Sequence, residues 1–150
     1  MSKNITKHEY QTLVEKTMPP SKVVRNILAA FFTGGLICAI GQVFFIVLIN
    51  LKVDKETSTM MTTVIMIFLG ALLTGLNIYD IIGKFGGAGA SIPVTGFSNS
   101  IVSPAMEYKK EGYVMGVGAK MFLIAGPVLV YGIVASVVAG LIYFIWTQVM

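Results

Sequence analysis

The residue types that do chemistry are scarce in this chain. The one histidine, His8, precedes the first apolar run, and the one cysteine, Cys38, lies inside it. No grouping of His, Cys, Asp or Glu has the spacing of a metal site. A side-chain nucleophile needs a base beside it and a group to hold developing charge, and no such set can be drawn from these residues. The stretch "GKFGGAGAS", residues 83–91, lacks the Gly-Lys-Ser/Thr ending of a phosphate loop, and "GAGASI" lacks the third glycine of a dinucleotide fingerprint. The expectation is a protein that is not an enzyme and holds neither metal nor cofactor. What remains is a polar inventory suited to binding or passage. Gln42 and Asn77 sit in apolar runs, Ser91, Thr95, Ser98, Asn99 and Ser100 sit in a glycine-rich stretch, and Asp80, Lys84 and Lys120 flank apolar runs.

The elements that must position these residues belong in a bilayer. The 150 residues are 55% hydrophobic and 12% charged, with a mean hydropathy of +0.81, values outside the soluble range. From Asn26 to Leu51 there is no charge over 26 residues, enough to cross about 30 Å of hydrocarbon at about 1.5 Å per residue. Lys52 to Glu56 is a charged loop, and Thr57 to Tyr79 gives 23 more uncharged residues. The last run, uncharged from Met121 to Met150, belongs to a stretch of 38 residues from Tyr113 that is longer than one span, and Gly126 and Pro127 predict a bend or break within it. The chain therefore reads as an all-α integral membrane protein. A polar tail, 1–22, precedes one transmembrane domain, 23–150. That domain has spans near 26–51 and 57–79, a broken segment at 83–106 and a long last helix at 113–150. A tail of this length before a full apolar run predicts an uncleaved first span.

The broken segment holds Gly83, Gly86, Gly87, Gly89, Pro93, Gly96 and Pro104, residues that interrupt a regular helix. Backbone groups freed by such breaks cost several kcal/mol each if they face lipid, so they must be buried in protein or line a wet cavity. One reading is a cytoplasmic turn. The other is a re-entrant element whose new helix start, with its unpaired N–H groups and dipole, suits a small anion. In that second reading Gly86, Gly87 and Gly89 let a ligand or a backbone approach, Pro93 opens a helix, and the Ser, Thr and Asn side chains offer hydrogen bonds. For Gln42 and Asn77 an interhelical hydrogen bond competes with pore lining. Asp80 and Lys84, four apart, can form a helix-end ion pair. Lys120 can snorkel to the interface or face a permeation path.

Charge placement sets the topology. Lys3, Lys7, Lys16, Lys22 and Arg25 are five of the eleven basic residues, a positive-inside signal and not a nucleic-acid patch. Three full spans with a re-entrant element put these residues on one side with Lys84, Lys109 and Lys110. Four full spans would move Lys109 and Lys110 across, so the first arrangement fits the rule better. Small residues recur at helical spacing: Ala30, Gly34 and Cys38 in the first span, Gly70 and Thr74 in the second, and Gly132, Ser136 and Gly140 in the last. They predict closely packed helices, within the chain or between chains.

Two blocks, "GGLICAIGQ" from Gly34 to Gln42 and "LLTGLNIYDIIGKFGGAGASIPVTGFSNSIVSPAMEYKKEG" from Leu72 to Gly112, resemble the SpoVA membrane-protein family of spore-forming bacteria. The resemblance implies a channel subunit that passes dipicolinic acid, with calcium, across the inner membrane of the forespore and spore during sporulation and germination. It also implies other SpoVA-type membrane subunits and a soluble one as partners, and gating that answers to membrane tension. A non-conducting assembly subunit and a small secondary transporter subunit are the alternatives.

Overall fold

A computed structural model describes residues 7–17 and 22–149. Lys3, and the side chains of Lys7, His8 and Lys16, lie outside the described residues. Those described are helical apart from short turns between the helices, with no strand among them. Helix α1, Lys7–Thr17, falls in the polar tail. Helices α2, Val23–Asn50, and α3, Lys55–Gly75, form the first two spans. Three short helices follow: α4, Tyr79–Gly86, α5, Ala88–Ser91, and α6, Val94–Glu107. A 3-10 turn, Tyr108–Glu111, and a π-helical stretch, Tyr113–Gly118, lead into α7, Ala119–Val149.

Three helical stretches are long and apolar enough to span: Val23–Asn50, Lys55–Gly75 and Tyr113–Gln148. The 14 residues of α6 and the 8 of α4 reach only about 21 and 12 Å at 1.5 Å per residue. Neither crosses alone, which supports three full spans and a broken fourth element. The buried apolar side chains among the described residues are few (Met66, Tyr79, Ala90 and Ala125), while large ones such as Phe31, Leu36 and Phe144 face outward. That inversion is expected where lipid, not water, surrounds the fold.

The first two spans end by the same device. Lys52 is left-handed at φ 61°, and the amides of Lys52 and Val53 donate back to Ile49 and Leu48 at 2.9 and 3.2 Å. Asn77, at φ 58°, closes α3 likewise, its amide donating to Thr74 and that of Ile78 to Leu73, each at 2.9 Å. Such returns satisfy the last carbonyls of a helix, and Asn tolerates this conformation better than most residues. The second span thus stops at Gly75, short of the expected Tyr79, and Asn77 is an exposed cap outside it. Between the first two spans, Asp54 caps α3 by accepting from the Thr57 amide at 2.9 Å.

Within the broken segment only two of the seven expected interrupters break a helix. Gly87, at φ 51° and ψ −124°, separates α4 from α5, a conformation that side chains other than glycine strain to adopt. Pro93 stands immediately before α6 as its N-cap. Gly83 and Gly86 are helical in α4, and Gly96 and Pro104 lie inside α6.

Candidate functional site

Small residues seat the broken segment against the first two spans. A Cβ on Gly86 would stand 2.5 Å from Thr33 Cγ2 of α2. One on Gly89 would run into the backbone of Ala30, and one on Gly34 would lie 3.3 Å from the Gly89 carbonyl oxygen. On the other side, a Cβ on Gly70 of α3 would be 2.7 Å from the Thr95 carbonyl oxygen. The expected close approach therefore exists at Ala30, Gly34 and Gly70. It does not exist in the last span, where Gly132 and Gly140 have no neighbour within 4 Å among the described residues, and residues 127–148 are exposed throughout.

Around Gly70 a polar seam joins the elements. Ser98 donates its hydroxyl to the Ile67 carbonyl at 2.9 Å, and the single Thr74 hydroxyl proton is shared between the Gly70 carbonyl at 2.7 Å and Asn99 Oδ1 at 2.9 Å. Adjacent residues of α6 thus reach groups about two turns apart on α3, one on each side of Gly70, so α6 crosses α3 there. The phenol of Tyr79, only 3% exposed, donates to the Ala90 carbonyl at 2.7 Å and shares a 2.7 Å bond with Thr95 Oγ1. It ties the start of α4 to α5 and to the first turn of α6. The Asn99 NH2 makes no hydrogen bond among the described residues.

Thr95, Ser98, Asn99, Gly86 and Gly89 are brought together by this packing, with Pro93 setting the start of α6. Ser100 is half-buried and bonds the Phe97 carbonyl at 2.7 Å. Ser91 is exposed and turns back on Gly87 at 3.1 Å, and Gly87 itself is exposed. Gln42, Asp80 and Lys84 are exposed. Asp80 and Lys84 share α4 without an ion pair among the described residues. Lys120 lies away from the seam, half-buried, with its Nζ 4.4 Å from the centre of the Tyr108 ring, so its charge is held by a cation–π contact at the α6–α7 junction. Sequence reasoning missed Tyr79, Thr33 and Tyr108. The only signal for Tyr79 was its place at the end of an apolar run, where an aromatic ring reads as an interface residue.

A helical bundle that faces outward with apolar side chains and lodges a broken, hydroxyl-bearing segment between its first two spans is an integral membrane protein built around an interrupted helix. Residues 26–142 match the SpoVAC/SpoVAEB sporulation membrane protein family. The chain is 45% identical over 147 residues, 96% of its own length and 97% of the relative's, to stage V sporulation protein AC of Bacillus subtilis (strain 168). It belongs to the SpoVAC/SpoVAEB family of sporulation membrane proteins. No solved structure matches it.

Proposed function

We propose that this chain is a channel subunit for dipicolinic acid, moving with calcium, across the inner membrane of the forespore and spore. The supporting observation is the seam at Gly70. There the Ser98, Thr95 and Tyr79 hydroxyls and the Asn99 amide are gathered among apolar spans, on a segment that cannot itself cross the bilayer. Polar groups are costly at such a place unless they serve packing or a path. The hydroxyls are bonded within the chain, so this arrangement is a shut one. The Asn99 NH2, which makes no hydrogen bond among the described residues, and the Val94 and Thr95 amides that open α6, of the kind a helix start leaves unpaired, are the donors an anionic carboxylate would meet once α6 shifts. Other SpoVA-type subunits, membrane-bound and soluble, complete the assembly.

The exposed length of α7 favours a second reading, in which the chain is an assembly subunit and the pore lies elsewhere. Purified full-length chain in planar bilayers, with dipicolinate as the main anion, separates the two. Discrete conductance steps are expected for the channel. A silent bilayer with correctly inserted protein refutes conduction by this chain alone and leaves the assembly role. A saturable flux coupled to a gradient would instead make it a transporter.

A further inference from the structure

The start of α2 carries two cations at the rim of an apolar trough. Lys22 stands just before the helix and Arg25 in its first turn. Both line a cavity of about 670 Å³ whose walls include Leu28, Phe32 and Phe85. Phe32 and Phe85 also wall a second cavity of about 470 Å³ that continues between α2, α3 and α4, past Leu36 and Ile40 to Met66. At 1.5 Å per residue Leu36 lies about 16 Å beyond Arg25 along α2, close to half the roughly 30 Å of a hydrocarbon core. The trough therefore has positive charge where a span meets water and hydrocarbon walls to the depth of one leaflet.

We propose that this trough binds one anionic glycerophospholipid, its phosphate between Lys22 and Arg25 and an acyl chain laid along Phe32, Phe85 and Leu36. Charge complementarity selects the headgroup. Among the described residues no carboxylate lines the trough, and Asp80, one turn before Lys84 on α4, lines neither cavity. A third cation, Lys84, lines an adjoining cavity that shares Phe85. The deep end selects hydrocarbon. Of its three hydroxyls, those of Tyr79 and Thr95 are spent on each other and on the Ala90 carbonyl, so Thr33 is the one side chain there that could offer a hydrogen bond, too little to hold a peptide or an inorganic anion among walls that are otherwise apolar. Basic pockets beside transmembrane helices hold lipid headgroups by the same means. A lipid so bound touches both α2 and α4, and thus the broken segment, whether or not this chain conducts.

The test uses full-length protein in phosphatidylcholine vesicles containing a fraction of phosphatidylglycerol, with one of the two lipids brominated on its tails. The single native tryptophan is removed as Trp146→Phe, and reporters are placed one at a time as Leu36→Trp and Ile81→Trp on opposite walls of the trough, with Val138→Trp on exposed α7 as the bulk-lipid control. Brominated phosphatidylglycerol should quench both trough reporters far beyond its bulk fraction. The expected preference over phosphatidylcholine is about 25-fold, roughly five-fold for each cation, and it should fall to near one in Lys22→Gln/Arg25→Gln. Position 138 should report the bulk fraction. Equal quenching by the two lipids at both trough positions refutes the site. Absence of quenching by either lipid means that protein, either α1 or a second copy, covers the trough, and also refutes it. Reversal by excess inorganic phosphate would reduce it to a simple anion site.

Discussion

Gly70→Ala tests whether the broken segment is held by the crossing of α6 over α3. The added Cβ would stand 2.7 Å from the Thr95 carbonyl oxygen and 2.9 Å from its Cα, whereas ordinary contact begins at 3.4 Å. Both obstacles are backbone, so neither can swing aside, and the two helices must part by about 0.7 Å. The Ser98 bond to the Ile67 carbonyl, 2.9 Å long, would then stretch to about 3.6 Å, beyond hydrogen-bonding range. Overpacking of this kind costs about 1–3 kcal/mol, and an interhelical hydrogen bond in a membrane contributes about 0.6 kcal/mol. The expected loss is about 2–4 kcal/mol, a change of roughly 30-fold or more in the unfolding equilibrium. The assay is SDS-driven unfolding in mixed micelles, with Gly75→Ala as control, since that glycine ends the same helix and has no neighbour within 4 Å. If the two variants unfold at the same SDS fraction, the α3–α6 crossing does not seat the segment and the reasoning fails.

Lys120→Met should destabilise the protein by about 0.5–2 kcal/mol through loss of the cation over the Tyr108 ring, a contact at 4.4 Å, while Lys120→Arg should be near neutral in the same unfolding assay. Equal stability of all three proteins would show that the stacked cation contributes nothing. The Asp54 carboxyl is held below its ordinary value chiefly by the Thr57 amide and next by the Thr57 hydroxyl. A depressed folded-state value means that the cap's contribution is present above the unfolded value and is lost as pH falls through the folded one. In micelles the Thr57 amide resonance should accordingly shift with a midpoint below 3.8, and Asp54→Asn should abolish that titration. A midpoint at or above 3.8 would contradict the cap.

The spans were legible because absence of charge over a fixed length is a property of composition, and a bilayer reads composition. Their ends were not, because the signal there is conformational. Nothing between Thr57 and Tyr79 is charged, yet Asn77 turns left-handed and closes the helix two residues after Gly75. That early stop frees Tyr79 to begin α4 and to reach Thr95 and Ala90, a pairing that exists only because Gly87 and Pro93 let the chain change direction in between. The small-residue stripes make the same point more sharply. Ala30 and Gly34 in the first span and Gly132, Ser136 and Gly140 in the last share one spacing. The first stripe is consumed by Gly89, whose own lack of a side chain is what admits it, and the glycines of the last meet nothing among the described residues. Small-xxx-small spacing permits close approach without naming what approaches. The partner of such a stripe is written in the facing element, here a second glycine cluster, and among the described residues no element faces the glycines of α7.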